Sequence, residues 1–349
     1  MLRYLATVAK QGRSAMSTRL RILLCGYFFI VNFAHAGIEH NAKIYVAGHT
    51  GLVGSAIVRK LQEEGFSNII TRSFKDLDLR CQQNVETFFE QERPDYIFLA
   101  AAKVGGIKAN WDYPAEFIYD NIAISFNIIH AAYKYGAKKL LFLGSSCIYP
   151  RSCPQPIKEE YLLTGELEKT NEPYAIAKIT GIKLCQAYNR QYGTHFISVM
   201  PTNLYGPHDN FDIETSHVLP ALIRKIYEAH INGDPTVTLW GSGRPYREFL
   251  YVDDLADACV FLMSHYDQTD IVNIGTGRDI TIADLAHLIK DIIGYQGTFV
   301  YDTTKPDGTP RKLLNIDRVT GLGWQAKHSL KEGIKKTVEW YKKHQATGV

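Results

Sequence analysis

Paired cysteine chemistry is missing from this chain. Its 349 residues contain six cysteines (Cys25, Cys81, Cys147, Cys153, Cys185 and Cys259), with no C-x-x-C pair and no zinc spacing. A disulfide-stapled scaffold and a zinc module are excluded on that pattern, which suits reduced thiols. Neither sign of charge dominates. Lys and Arg total 39 against 36 Asp and Glu, a formal charge of +3, and the basic residues are scattered. The electrostatic footprint of a nucleic-acid binder is therefore absent. No internal repeat and no low-complexity tract interrupts the chain, so solenoids and disordered linkers are excluded. What remains is 46% hydrophobic and 21% charged, enough apolar surface to bury a sizeable core in one large or two small domains.

The first 40 residues differ from the rest. Arg19-Leu20-Arg21 precedes an apolar run from Ile22 to Phe33, then Ala34-His35-Ala36. That is the layout of a secretory leader, and the run is too short to cross a bilayer comfortably. The remainder, with its unpaired thiols, suits a reducing compartment. We expect a cytoplasmic, non-exported protein with no membrane partner, with Met16 as an alternative start, and residues 1–40 outside the fold.

From residue 41 apolar strands alternate with amphipathic helices. Strands are predicted at 43–47, 68–72, 96–101, 139–143 and 196–200, and helices at 55–65, 84–92, 114–135 and 173–192. That alternation predicts an α/β protein with a doubly wound parallel Rossmann sheet and a ligand at the carboxyl ends of its strands. After Pro201 the pattern loosens. Helices are predicted at 217–230, 253–265, 281–293 and 329–345. We expect a nucleotide-binding domain over 41–205 and a smaller α/β substrate-binding domain over 206–345, with 246–256 returning to the first.

Two motifs carry chemistry. Between the first strand and helix lies Gly48-His49-Thr50-Gly51-Leu52-Val53-Gly54. Glycines at that spacing permit a tight turn and close approach of backbone N–H groups to a pyrophosphate. Further on, Tyr174 and Lys178 stand four residues apart, on one face of a helix. A phenol titrates near 10 when free, and a nearby ammonium favours the phenolate, so the pair predicts a proton donor that works near neutrality. Each motif also has a bland reading, as an ordinary turn and a solvated helix face.

The glycine turn, Leu99-Ala100-Ala101-Ala102, Ser145 after a strand and Tyr174-x-x-x-Lys178 together resemble the extended short-chain dehydrogenase/reductase family, over about residues 42–345. Longer stretches sharpen the resemblance: Ala100 to Ile107, Gly144 to Pro150, Asn171 to Ala175, Met200 to Phe211 and Lys305 to Lys312. They are most similar to those members that epimerise and then reduce GDP-4-dehydro-6-deoxy-D-mannose to GDP-L-fucose with NADPH. The resemblance implies a homodimer and a set of roles. Ser145 and Tyr174 would hold the substrate carbonyl and Lys178 the nicotinamide ribose. Cys147 and His217 would form the epimerisation pair. NADP would be held by Gly48, His49, Thr50, Gly51, Leu52, Val53 and Gly54, by Arg72, by Leu143, Gly144, Ser145 and Ser146, by Lys178, by Pro201, Thr202, Asn203 and Leu204, and by His217. Lys225, Trp240, Arg247 and Asp307 would contact the GDP-sugar. No metal is implied.

Chemistry supplies reasons for several of these. A 4-keto sugar has acidic protons on carbons 3 and 5, and inverting both centres needs a base and an acid. A thiol and an imidazole titrate close enough to neutrality to serve. Cys147 has the bland alternative of a small buried hydrophobe, and His217 that of a helix-start residue. Arg247 suits a diphosphate through its donor fork. The second strand ends Thr71-Arg72-Ser73-Phe74-Lys75, without a carboxylate before Asp76, which favours NADP over NAD. Bacterial members often place arginines in the turn and two residues past Arg72, where this chain has Thr50 and Phe74. Arg72, helped by Lys75, is therefore the expected partner of the 2′-phosphate. The rival enzymatic reading is an NAD(P)-dependent nucleotide-sugar 4-epimerase or 4,6-dehydratase. Dehydratases place an Asp-Glu pair where this chain has Ser146-Cys147. A catalytically silent Rossmann redox sensor would lack the Ser145, Tyr174 and Lys178 set.

Overall fold

The computed structural model describes residues 37–305 and 307–345. Strand β1 (Ile44–Ala47) pairs in parallel with β2 (Ile69–Ile70) on one side and β3 (Tyr96–Leu99) on the other. Beyond β3 the sheet continues through β4 (Lys139–Leu143), β5 (Phe196–Pro201) and β9 (Val272–Ile274), in the order β2-β1-β3-β4-β5-β9. The strand order reverses between β1 and β3, so a crevice opens at their carboxyl ends. Strands β1, β3, β4 and β5 are buried along their whole length, as a parallel sheet covered on both faces requires.

Helices α1 (Leu52–Glu63) and α7 (Val252–His265) cover one face, packing Ile57, Leu61, Leu255, Cys259 and Leu262 against it. On the other face lie α2 (Gln82–Glu92), α4 (Pro114–Lys134) and α5 (Glu172–Tyr192), through Phe89, Ile128 and Ile182. The predicted Rossmann sheet is therefore present. Helix α1 begins three residues before the expected Ser55, because Gly51 already has the extended conformation of an N-cap. No side chain caps it, and the first N–H groups are left facing the glycine turn.

A second sheet is built on β8 (Tyr246–Tyr251). It pairs in parallel with β6 (Asn203–Tyr205) and β12 (Arg311–Lys312) and antiparallel with β10 (Asp279–Thr281). Strands β7 (Thr236–Trp240) and β11 (Thr298–Asp302) form a parallel pair. Helices α6 (Val218–Asn232), α8 (Ile282–Ile293) and α10 (Leu330–Gln345) close a third core around Leu222, Ile289 and Ile334. Fully buried Glu248 knits the second sheet together. Its carboxylate accepts backbone N–H groups from Thr276 at 2.6 Å, Gly277 at 2.8 Å and Leu314 at 2.9 Å. Burial pushes this carboxyl up, and the three N–H bonds oppose the shift.

The segment 246–256 divides at Val252. Strand β8 is central to the second sheet, whereas α7 and β9 serve the first. We propose a domain boundary that follows the sheets, with 252–274 assigned to the nucleotide-binding part. The leader-like segment up to residue 36 lies outside the described residues. One correction concerns residues 38–40, which belong to the fold. Ile38 is buried in the first core, the Glu39 carboxylate accepts the Tyr96 hydroxyl at 2.8 Å, and His40 stacks on Phe66.

Candidate active site

The glycine turn is shaped by what a side chain would strike. At Gly48, where φ is +85°, an added Cβ would lie 2.8 Å from the backbone of Ala101 at the end of β3. At Gly54 it would lie 2.1 Å from the Gly48 carbonyl oxygen. The turn is thus pressed between β3 and α1, at the crevice. His49 Nδ1 is buried there with no hydrogen-bond partner. A bare helix N-terminus, a backbone cradle and an unsatisfied imidazole nitrogen fit a dinucleotide pyrophosphate.

Other expected cofactor residues are placed less simply. Arg72 donates to the Thr71 carbonyl at 2.8 Å and to Glu92 of α2 at 2.6 Å, and it lies over the Phe88 ring. Much of its donor fork is thus already engaged. Thr202 and Asn203 both donate to the Glu248 carbonyl, at 3.2 and 2.8 Å, and fasten β6 to β8. Gly144 leaves room for Met200, whose Cε an added Cβ would meet at 2.4 Å.

At the carboxyl end of β4 the chain enters a single 3₁₀ turn, Ser146–Ile148, capped by Ser145. The Ser145 hydroxyl oxygen accepts the Cys147 backbone N–H at 3.2 Å. The same hydroxyl also bonds the Cys147 sulfur and the Tyr174 oxygen. Tyr174 sits in the first turn of α5, beside Pro173, with Phe117 of α4 edge-on at 6.2 Å. One turn on, buried Lys178 donates to the Leu143 carbonyl at 2.7 Å.

The expected acidification of Tyr174 by Lys178 does not occur in this structure. Burial raises the phenol, the charge of Cys147 raises it further, and only the Ser145 hydrogen bond opposes. The physical reason is visible at Lys178, whose ammonium is aimed at a carbonyl and is pushed down to about 7 by burial. At neutral pH that leaves it about half charged, with its ammonium directed at Leu143. Tyr174 is therefore a neutral hydroxyl, a proton donor as it stands.

Cys147 follows the opposite rule. Burial would raise its thiol, yet the net shift is downward. The Lys312 ammonium is the chief cause, 3.4 Å from the sulfur, with hydrogen bonds from Ser145 and Asn171. His217 is the N-cap of α6 but makes no capping bond with its side chain, so the helix-start reading does not account for its ring. It is solvent-accessible within a cleft walled by protein, and its imidazole is lowered by desolvation and by Lys312. The loop ahead of it is seated by Gly106, whose N–H bonds the Thr215 carbonyl at 2.9 Å. A Cβ on Gly106 would come within 2.6 Å of the Ser216 carbonyl oxygen.

From Cys147 a continuous wall leads outward. Lys312 and Arg247 are register partners on β12 and β8. Arg247 feels the charges of Asp307 and Cys147. Asp307 accepts the Ser242 N–H at 2.6 Å and the Ser242 hydroxyl at 2.7 Å. These bonds hold its carboxyl low and tie Asp307 to the turn after β7. Trp240, at that end, is 45% exposed, with the ammonium groups of Lys225 and Lys305 at 4.8 and 5.5 Å from ring centres. The wall thus offers an aromatic plane and several cations to an anionic, ring-bearing ligand.

Sequence reasoning missed Lys312 and Asn171 as members of the site. Both lie in stretches that carried the family resemblance, which was the available signal. Asn171 immediately precedes α5, with its Oδ1 buried and unpartnered.

Comparison with known proteins agrees with this geometry. The profile of the NAD dependent epimerase/dehydratase family matches residues 44–275. GDP-L-fucose synthase 1 of Arabidopsis thaliana is 60% identical over 306 residues, covering 88% of this chain and 95% of that protein. The GDP-L-fucose synthase of Escherichia coli K12 is 52% identical over 312 residues, covering 87% and 97%. A crystal structure of a GDP-L-fucose synthetase from Naegleria fowleri bound to NADP has a TM-score of 0.83 at 33% identity, covering 89% and 97%. A profile match over most of the chain and full-length relatives at 52 to 60% identity place the chain in the NAD dependent epimerase/dehydratase family, among its GDP-L-fucose synthases.

Proposed function

We propose that this enzyme converts GDP-4-dehydro-6-deoxy-D-mannose into GDP-L-fucose by epimerising carbons 3 and 5 and reducing carbon 4, in one pocket. It is an NADP-dependent oxidoreductase and epimerase. The observation that supports the reading is the clustering of Ser145, Cys147, Asn171, Tyr174, His217 and Lys312 beyond the carboxyl end of β4.

The 4-keto oxygen accepts from the Ser145 hydroxyl and from neutral Tyr174. Those donors stabilise the enolate when a neighbouring carbon loses its proton. The Cys147 thiolate takes that proton. The C–H bond breaks, an S–H bond forms, and the electron pair moves onto the carbonyl oxygen. Return of a proton from the opposite face, with His217 in the complementary role, inverts the centre. When bound, NADPH supplies the hydride for carbon 4. The turn 48–54 would hold its pyrophosphate and Lys178 its ribose, and Tyr174 then protonates the carbon-4 oxygen.

The wall from Arg247 to Trp240 would take the GDP portion, with Lys225 beside the aromatic plane. Two further features belong to this reading. A homodimer through α4 and α5 is supported by Tyr119 and Phe126, exposed at 68% and 53%. Cytoplasmic residence rests on the need for reduced cofactor, and among the described residues no helix is long and apolar enough to cross a membrane.

The test is incubation of the purified protein with GDP-4-dehydro-6-deoxy-D-mannose and NADPH. Loss of reduced-nicotinamide absorbance together with a GDP-L-fucose product is expected. An untouched keto-sugar, or a reduced but unepimerised sugar, would refute the reading.

A further inference from the structure

Lys312 has an unusual partner for a half-buried ammonium. Among the described residues it is paired with no carboxylate, and its Nζ lies 3.4 Å from Cys147 Sγ, 165 residues away in sequence. Its neighbours fix it there. Arg311 is held by Asp279 at 2.5 and 3.2 Å, Leu313 N–H by Gln155 at 2.8 Å, and Leu314 N–H by Glu248 at 2.9 Å. With its neighbours so held and Lys312 in register with Arg247 of β8, the side chain at 312 reaches Cys147.

We propose that Lys312 is a positioning residue for epimerisation, whose ammonium holds Cys147 as the thiolate base. This rests on the reading of Cys147 as proton acceptor. The charged and polar groups facing the sulfur are Lys312 from β12, Arg247 from β8, Asn171 and Tyr174 from the start of α5, and Ser145 from its own turn. Arg247 is the rival cation. Its guanidinium donates to the Tyr246 carbonyl at 2.7 Å and answers to Asp307, whereas Lys312 alone of the two hydrogen-bonds the sulfur.

The same ammonium acts on His217 and disfavours its protonation. One cation thus favours the anion at the sulfur and, after desolvation, the neutral form of the imidazole. When the sulfur takes a proton from carbon, the electron pair goes to the sugar carbonyl and Lys312 keeps its own protons.

The experiment is iodoacetamide labelling of the full-length protein across pH, read by mass spectrometry of the peptide that carries Cys147. Wild type, Lys312→Met and Lys312→Arg are compared. A thiolate held by Lys312 labels at pH 7 roughly tenfold faster than in Lys312→Met, since tenfold corresponds to one pKa unit. The variant catches up above the free-thiol range of about 8.5. Lys312→Arg restores most of the rate at pH 7. Equal labelling of wild type and Lys312→Met at pH 7, both with NADPH-binding titrations like wild type, would overturn the proposal.

Should Lys312→Met fail to fold, the thiolate absorbance lost in Cys147→Ser relative to wild type gives the titration directly. A midpoint at or above the free-thiol range would equally overturn it. Deuterium exchange at carbons 3 and 5 separates the two ideas. Normal exchange by Cys147→Ser would remove Cys147 from catalysis while leaving the labelling result as the measure of the ion pair.

Discussion

The reducing set and the epimerising set of this pocket are built in different ways. Ser145, Tyr174 and Lys178 come from adjoining elements of a single sheet layer, within 34 residues of sequence. Each is placed by regular structure: a strand end, a helix first turn and a helix second turn. Cys147, His217 and Lys312 come from a 3₁₀ turn, a helix cap and a two-residue strand in different parts of the fold. The electrostatics differ accordingly. In the first set burial dominates, leaving a neutral phenol and a depressed lysine. In the second a distant cation overrides burial at the sulfur. Regular structure can position a hydroxyl, but stabilising a buried anion requires a charge delivered from elsewhere.

Separating the two sets by mutation gives the largest expected effects. Tyr174→Phe removes the donor to the carbon-4 oxygen and should slow NADPH oxidation by about a thousandfold. Solvent deuterium should still enter the sugar, more slowly, because Ser145 still bonds the enolate oxygen and Cys147 and His217 are untouched. Equal loss of both activities would show that the sets are not separable. The converse variant, Cys147→Ser, should cut deuterium exchange by roughly a hundredfold. A reduced sugar with one or both centres uninverted should accumulate, as seen by NMR, and normal product would make Cys147 structural.

Burial at Lys178 yields a stability prediction. The folded-state value of about 7 lies below that of a free lysine. Between those two values the unfolded chain carries a proton that the folded chain has released. Stability therefore rises with pH from about 7 towards the free-lysine range and is insensitive to this group below 7. The penalty at neutral pH is on the order of 4 kcal/mol. Lys178→Met should therefore melt higher than wild type at pH 7, and the gap should shrink by pH 10. A gap independent of pH would place the ammonium in a more polar environment than the hydrogen bond to Leu143 implies.

The smallest effect is expected at the cofactor end. Arg72→Ala should raise the KM for NADPH several-fold with little change for NADH. Glu92→Gln, which frees the guanidinium from its ion pair, should lower the KM for NADPH. Equal changes for both nucleotides would remove Arg72 from recognition of the 2′-phosphate.

Much of the first set was legible in advance because it depends on short-range pattern. Apolar runs located β1, β3, β4 and β5 to within about two residues, and the 174/178 spacing announced a shared helix face. Chemistry that depends on distant partners was not legible in this way. Nothing near Tyr174 says that Lys178 will donate to Leu143 instead of acidifying the phenol, since that follows from where β4 ends. Arg72 does not reveal its partner in Glu92, nor Asp307 its bonds to Ser242, 65 residues earlier. Ile38 and Glu39 read as a continuation of the leader until β3 supplies Tyr96 and the first core supplies a place for Ile38.

Local sequence by itself determined the alternation of strand and helix, the glycine cradle, and which side chains could donate or take a proton. Only the tertiary structure decided the charge each of them carries. Ionisation depends on burial and on neighbours within a few ångströms, and folding alone brings Lys312 to Cys147.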